Sequence, residues 1–249
     1  MEDENKNKYN IKQIIALIII GICAIIAMLF SNNEDISNNV FNDTEKDIIS
    51  YSLDDIPEYE GEPYIYLNNN IPDFDEEDLT YECFEQYSDL DEHGRCGVAF
   101  ANLGKDTMPK DDEKRTNITD IYPTGWQEDE YAIVSGKKLY NRCHLIAHGL
   151  SAENDNPNNL ITGTRYFNIS GMTPFENKVR KYLNENEDNH VLYRVTPIFD
   201  NDNLLATGVQ LEIMSVEDKG EKICYNVYIY NVQPGVEIDY TTGESKLLE

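Results

Sequence analysis

Apolar and polar positions alternate most clearly in the C-terminal part of the chain, where short polar clusters separate three apolar segments. Segments rich in β-branched and aromatic residues predict strands, and short turns between consecutive strands indicate an antiparallel sheet. Weaker patterns upstream predict three further strands. In chain order, the predicted strands are 64–67, 97–101, 137–146, 191–199, 208–215 and 223–232.

One helix is predicted between the third and fourth of these strands. Thr173 suits the N-cap, Pro174 suits the first helical position, and Glu176 completes a capping box. The helix is predicted to end near Leu183. Strands in series with helices packed on them indicate an α+β fold with an antiparallel sheet core.

A second apolar pattern is uninterrupted, because residues 14–30 contain no charge. At ~1.5 Å per residue, a helix of this length spans roughly 25 Å, enough for a bilayer core. A small-x-small cleavage site is poorly formed, since Ala24 and Ala27 lie inside the run, so an uncleaved signal anchor is favoured over a cleaved signal peptide. The positive-inside rule places the N-terminus in the cytoplasm, because the basic residues precede the run: Lys6, Lys8 and Lys12.

These patterns divide the chain into four parts. A cytoplasmic tail covers 1–13, the transmembrane anchor 14–30, an acidic linker 31–55 and one folded domain 56–249. The 17 tyrosines and a mean hydropathy of -0.56 suit a domain that folds in water. The domain is therefore expected outside the cell, tethered to the membrane by a single span, or secreted if the anchor is cleaved.

The charge is strongly acidic, with a formal net charge of -27, which is unfavourable for contact with nucleic acid. Its distribution changes that conclusion. Residues 31–95 hold 20 acidic residues against two basic ones, whereas 137–181 holds seven basic residues against three acidic ones. A local basic region of this kind favours binding of phosphate groups.

The same region contains the residues with the most chemical potential. Asn141–Ile146 and Asn159–Asn168 bring together a histidine, two arginines and several carboxamides. His144 is the candidate general base, because imidazole accepts a proton near neutral pH; the alternative is a half-buried structural histidine. His148 also allows a zinc site, but Leu145 stands where a His-Glu-x-x-His motif requires glutamate.

Asn168 is a candidate ligand for a hard cation such as Mg²⁺, which accepts oxygen donors and keeps several waters. A neutral carboxamide ligand leaves the charge of the cation available to a phosphate. Glu176 and Arg180 follow eight and twelve residues later, so on a helix they would lie within about 120° of Asn168. Each also has a structural alternative, helix capping for Glu176 and a solvated arginine for Arg180.

Four cysteines follow the apolar run, in a compartment where disulfides persist. Their spacing does not determine a pairing, although Cys83–Cys96 is one possible bridge. Cys143 next to His144 suggests a nucleophile, but neighbouring side chains on a strand point to opposite faces. No CxxC pair is present, which argues against a structural zinc site.

The chain resembles the DNA/RNA non-specific endonuclease family, the ββα-metal finger nucleases, and is similar to secreted or anchored nucleases of Gram-positive bacteria. The resemblance extends over roughly 56–249. Where the wider family often has Asp-Arg-Gly-His, this chain has Asn141 and Cys143 in place of the aspartate and glycine. The other segments that carry the resemblance are Leu90–Cys96, Thr107–Pro109, Pro123–Trp126, Asn189–Pro197 and Tyr230–Gly235.

This resemblance implies a ββα-metal finger site with His144 as general base and Asn168 as the direct Mg²⁺ ligand, with Mn²⁺ as a substitute. Glu176 would act on the metal through water, and Asn159 would support the loop or contact substrate. The residues expected to handle phosphate are Arg142, Arg165 and Arg180.

The implied reaction is attack of water on phosphorus, which leaves a 5′-phosphate on one product. The substrate is DNA, with RNA as a second candidate, and no protein partner is evident. Two other functions stay open: a catalytically idle surface protein that binds nucleic acid, and a secreted nuclease toxin. Retention of the base and metal positions argues against the first, and the anchor against the second.

Overall fold

The computed structural model describes residues 56–110 and 112–248. The tail, the transmembrane anchor and the linker predicted for 1–55 lie outside the described residues. None of the helices within these two ranges is both long and apolar enough to cross a bilayer.

Ten strands are formed by the described residues. Six of them, all antiparallel, make the central sheet, and the others pair as two hairpins. The strands are β1 Tyr64–Tyr66, β2 Phe84–Tyr87, β3 Ala99–Leu103, β4 Tyr140–His144, β5 Leu160–Thr164, β6 Val191–Ile198, β7 Gly208–Ser215, β8 Cys224–Tyr230, β9 Val236–Ile238 and β10 Ser245–Leu247. The order in the sheet is β1-β8-β7-β6-β3-β2, while β4 pairs with β5 and β9 with β10.

The sheet confirms the α+β prediction and the three C-terminal strands. The predicted strand 208–215 matches β7, and β6 and β8 end one or two residues from their predicted bounds. Four strands were not predicted: β2, β5, β9 and β10. The last two are three residues long, too short for alternation to be recognised.

In the described ranges, two α-helices and a π-helix accompany the sheet. Helix α1 is a single turn, His148–Ser151, and α2 spans Thr173–Glu185. A π-helix at Phe167–Met172 runs directly into α2. The predicted capping box is therefore wrong: Thr173 has helical backbone angles, and its hydroxyl donates to the carbonyl of Asn168 at 2.9 Å. Pro174 is tolerated because it occupies the first turn of α2.

One apolar core joins α2 to the sheet. Phe175, Val179 and Leu183 recur at helical spacing and are at most 1% exposed. They belong to the same cluster as Tyr193 on β6 and Ile213 on β7. The helix is thus held on the sheet by a continuous apolar face, which leaves its flanks free to carry polar groups.

The β4–β5 hairpin is fastened to the sheet by Asn231, which is fully buried just after β8. Its carboxamide oxygen accepts from the amide of Thr164, and its amide group donates to the carbonyls of Thr162 and Ala206. A buried carboxamide with all these bonds made is costly to replace. Asn231 thus joins the hairpin to the end of β8, and the apolar core joins α2 to the same sheet.

Candidate active site

His144 is the last residue of β4 and is half-buried. Its Nε2 lies 2.8 Å from the carbonyl oxygen of Asn154. A carbonyl can only accept, so Nε2 carries the proton and Nδ1 keeps its lone pair. Burial lowers the pKa of His144, and the charges of Arg115 and His148 lower it further, against the raising effect of the Asn154 carbonyl. The imidazole is therefore neutral and able to accept a proton near neutral pH.

Asn168 lies on the π-helix, one turn before α2. Its backbone carbonyl accepts both the amide and the hydroxyl of Thr173, so its position is fixed by the backbone. Its half-buried side chain makes no hydrogen bond with any described residue and borders a cavity of about 510 Å³. Asn141 and Arg142 of β4 line the same cavity. A π-turn here fits the frequent occurrence of such turns at functional sites.

Glu176 is in the first turn of α2 and is half-buried. Burial raises its pKa to about 7, although the charges of Arg180 and Arg115 act in the opposite direction. Its charge in turn raises the pKa values of Cys143 and Tyr193, so the carboxylate lies near both residues. It makes no hydrogen bond or ion pair with a described residue. A carboxylate buried in this way is stabilised by a cation.

Asn168 and Glu176 each carry the type of oxygen donor that suits a hard divalent cation. A carboxamide oxygen and a carboxylate, supplemented by water, are the ligands that Mg²⁺ prefers. In the described residues, no three His, Cys, Asp or Glu side chains converge as a metal cage would require. The His144–His148 alternative thus lacks the third protein ligand of a zinc site, and Nδ1 of His148 is buried without a hydrogen-bond partner.

Arg142, two residues before His144, is held by a loop. Its Nε donates to the carbonyl of Ile121 at 2.5 Å, and a terminal nitrogen donates to the carbonyl of Thr119 at 2.6 Å. The guanidinium also lies 4.0 Å from the centre of the Trp126 ring. Through these contacts Arg142 stabilises the loop 119–126. Its predicted contact with phosphate stays a prediction.

Arg165 and Arg180 are less engaged. Arg165 donates to the side-chain oxygen of Asn141 at 3.3 Å, a long bond, and its buried Nε has no partner. Arg180 is exposed on α2, donates to Asn177 at 2.5 Å and lies beside Gly149 of α1. Both arginines retain N–H groups able to hold phosphate oxygens.

A family model described as DNA/RNA non-specific endonuclease matches residues 77–217, more than half of the chain. The chain belongs to the DNA/RNA non-specific endonuclease family. The family expected from the motifs is thereby confirmed. Its members are placed among hydrolases of phosphodiester bonds, which is the chemistry that a base, a cation site and unpaired arginines can support.

Individual relatives agree with this assignment. A "Deoxyribonuclease" of Streptococcus dysgalactiae subsp. equisimilis is 30% identical over 118 residues, which are 44% of this chain and 35% of that protein, so the match spans about a third of the relative. NucA from Streptococcus agalactiae with no metal bound is 27% identical, with a TM-score of 0.64 over 79% of this chain and 92% of NucA. The nuclease Sda1 with a bound zinc ion is 29% identical, with a TM-score of 0.54 over 67% and 80% of the two chains.

Two residues near the base were not anticipated by the family resemblance. Arg115 influences the pKa values of both His144 and Glu176, so its charge lies close to both. Asn154 supplies the carbonyl to His144, and its side chain donates to the backbone and hydroxyl of Thr116 at 2.8 and 2.5 Å. These bonds bring the 115–116 segment to the site. Only the asparagine-rich loop composition hinted at Asn154, and no local signal marked Arg115.

Asn159 was predicted either to support the loop or to contact substrate, and the structure places its side chain inside the protein. It is 0% exposed, and its side chain pairs with both the amide and the carbonyl of Ile146, at 2.8 and 3.0 Å. A fully buried side chain with these bonds cannot reach substrate. The structure therefore assigns it the other expected role, support of the loop between the two strands of this nuclease hairpin.

Cys143 fits the family hairpin despite replacing a glycine. It is 2% exposed, and a Cβ added to Gly163 of β5 would lie 2.6 Å from its sulfur. The absence of a side chain at Gly163 thus leaves room for the thiol. Burial raises the pKa of Cys143, which excludes a reactive thiolate. All four cysteines in the described residues are free, so the possible Cys83–Cys96 bridge is not formed.

Proposed function

We propose that the protein is a sequence-non-specific endonuclease that hydrolyses DNA with a divalent cation, and with His144 as general base. One observation carries the proposal: Nε2 of His144 donates a hydrogen bond to the Asn154 carbonyl, which leaves Nδ1 free to accept a proton. RNA is a second candidate substrate. The family assignment and the "Deoxyribonuclease" relative support this choice of substrate.

In the proposed reaction, His144 removes a proton from the attacking water as the oxygen approaches phosphorus. Arg165 and Arg180 hold the phosphate oxygens, and Arg115 adds positive charge beside the base. A cation held by Asn168, with Glu176 close by, would stabilise the charge that develops on the leaving 3′ oxygen. The products then carry 5′-phosphates.

Mg²⁺ is the proposed cofactor, with Mn²⁺ as a substitute. Its support is the oxygen-donor set of Asn168 and Glu176 together with NucA, of which a structure with a magnesium ion bound is 26% identical and has a TM-score of 0.63 over 76% of this chain and 93% of NucA. The zinc ion of Sda1 is the alternative. Cleavage in Mg²⁺, Mn²⁺ and Zn²⁺ after removal of metals by EDTA compares the three directly.

The decisive variant is His144→Ala. We expect the purified full-length protein to degrade plasmid DNA with Mg²⁺, and the variant to lose roughly 10²–10⁴-fold in rate, as removal of a general base does. His93→Ala is the matched control, because His93 lies at a surface loop near Asp202. Unchanged cleavage by His144→Ala would remove the base assignment. Binding of DNA without cleavage by the wild type, in any of these metals, would favour the idle binding protein.

We also propose that the domain acts outside the cell, tethered by the apolar run 14–30. The domain should then be recovered in the membrane fraction. Protease added to intact cells should digest it. Recovery of the domain in the medium would instead support a cleaved signal and a secreted nuclease.

A further inference from the structure

A second concavity, of about 360 Å³, lies against α2 on the flank away from Glu176 and Arg180. Three lysines line it, together with two tyrosines and one carboxylate. Lys222 approaches from the turn before β8, and the other two lysines belong to α2. We call this site the lysine concavity; its polar lining consists of Lys178, Lys181, Lys222, Tyr182, Tyr225 and Glu185.

The three ammonium groups are unpaired. Lys178, Lys181 and Lys222 make no ion pair with any described residue. The chain has 47 acidic residues against 20 basic ones, so carboxylate partners are abundant elsewhere on its surface. Three lysines and one carboxylate, Glu185, line the concavity, so its lining carries a net positive charge that favours an external anion.

Two of the lysines are also held in place by aromatic rings. Lys178 donates to the hydroxyl of Tyr225 at 2.9 Å and lies 4.4 Å from the centre of that ring. Lys222 lies 5.5 Å from the centre of the Tyr182 ring. Such contacts restrict the long side chains before binding, which lowers the entropy cost of holding an anion.

The position on α2 suggests which anion. Lys178 lies about 160° around the helix from Glu176, and a helix with its side chains is about 10–12 Å wide. A duplex carries one phosphate per strand every ~3.4 Å, so a distance of this size corresponds to roughly three or four base pairs. A strand that crosses the exposed face of α2 would therefore place phosphates both at the active site and at the lysine concavity.

We infer that the lysine concavity binds phosphates of the substrate strand a few nucleotides away from the bond that is cleaved. This inference rests on the proposed nuclease function. It gives the enzyme a preference for long substrates over short ones, because only a long strand contacts both flanks of α2.

The test combines Lys178→Gln, Lys181→Gln and Lys222→Gln in the full-length protein. The matched control combines Lys110→Gln, Lys137→Gln and Lys246→Gln, which also removes three charges from exposed positions. Binding of an oligonucleotide of about 20 nucleotides, longer than typical groove site sizes of roughly 4–16, is measured by fluorescence anisotropy in the His144→Ala background. Cleavage of the same oligonucleotide and of a dinucleotide is measured with His144 present.

We expect the Kd for the long oligonucleotide to rise about 10-fold or more in the lysine variant and little in the control. The slope of log K against log salt should fall by about 2, because each single-strand contact contributes ~0.7. Cleavage of the dinucleotide should not change. Arginine at all three positions should restore binding, which a folding defect would not allow.

Equal Kd values for wild type and lysine variant, equal losses in variant and control, or an equal loss on the dinucleotide would each overturn the inference. So would competition by polyglutamate as strong as that by the oligonucleotide, since the site would then accept any polyanion. Absence of cleavage by the wild type removes the proposed function but leaves the binding test intact. If the wild type cleaves DNA and the lysine variant binds the oligonucleotide as well as the wild type does, only the inference about the lysine concavity is wrong.

Discussion

Two glutamates, the buried Glu212 in the central sheet and the half-buried Glu176 at the candidate site, have opposite surroundings in the fold. Glu212 on β7 is 3% exposed; it accepts from Arg194 at 2.7 Å and from the amide of Asp73 at 2.7 Å. Arg194 also donates to the carbonyl of Asp73 and lies over the Phe74 ring. Glu176 has no such partners among the described residues, and burial raises its pKa.

The same contrast extends to their surroundings. Several buried polar atoms near the candidate site have no hydrogen-bond partner: Nε of Arg165, Nδ2 of Asn141 and Nδ1 of His148. Satisfied networks stabilise a fold, whereas unsatisfied buried groups cost free energy that a ligand can recover. In the central sheet, Oδ1 of Asn102 on β3 also lacks a partner, so the contrast holds for the two glutamates and not for the whole sheet; the unpaired atoms beside the hairpin are the ones that a charged ligand could satisfy.

Breaking the satisfied pair should have the largest effect on stability. Glu212→Gln leaves the charge of Arg194 without its counter-ion and should lower the free energy of unfolding by about 3 kcal/mol. That corresponds to a fall in Tm of about 9 °C for a domain of this size. Thermal melts followed by circular dichroism measure it, with Glu237→Gln at an exposed ion pair as control. Equal Tm values for Glu212→Gln and Glu237→Gln would contradict a special stabilising role of the Glu212–Arg194 pair.

The corresponding change at the site should stabilise the protein. The pKa of Glu176 is raised in the folded state, so its contribution to stability is present below the ordinary pKa of 4.5 and is lost as pH rises through about 7. Glu176→Gln should therefore raise the free energy of unfolding at pH above 8 in EDTA by on the order of 2 kcal/mol, reduced from the full shift because the group is half-exposed.

Denaturant titrations of this variant at acidic and alkaline pH test the sign. The difference from wild type should disappear well below the ordinary glutamate pKa, where both side chains are neutral. Mg²⁺ should stabilise the wild type more than Glu176→Gln, and cleavage should be slower in the variant. A variant that is less stable at both pH values would show that Glu176 is a structural residue.

The positive charge of Arg115 lowers the pKa values of His144 and Glu176, and Arg115 forms no ion pair with a described residue. Arg115→Gln should lower kcat/KM about 10-fold, the effect of one weakened charge contact of about 1.4 kcal/mol. Lys114→Gln, the adjacent exposed charge, is the control. The same loss in both variants would indicate a general effect of net charge rather than a role at the site.

The smallest expected effect is on the pH dependence. Burial and the charges of Arg115 and His148 lower the pKa of His144, so the neutral base persists as pH falls below 6.5. The acidic limb of kcat/KM should therefore lie below 6.5 in the wild type and move upward in Arg115→Gln. A limb at or above 6.5 in the wild type would assign the titration to another group.

The candidate residues of this site could be named from the sequence because their signals are local. His144, Asn168, Glu176 and Arg180 occur at spacings that sequence motifs record, and alternation over a full strand identified β6, β7 and β8. Local patterns failed where the same residue suits two positions, such as a helix cap and a helix interior. Thr173 satisfies the rules for an N-cap, but the preceding π-helix continues the chain into α2 without one.

Sequence by itself determined the family, the α+β class and the identity of the candidate base and metal ligand, because these depend on residue types at short spacings. Tertiary structure alone decided that Arg142 fastens a loop, that Asn159 is buried, and that Arg115 and Asn154 join the site. It also gathered three lysines from α2 and the turn before β8. The physical reason is that burial and charge depend on contacts between distant segments, which no local pattern records.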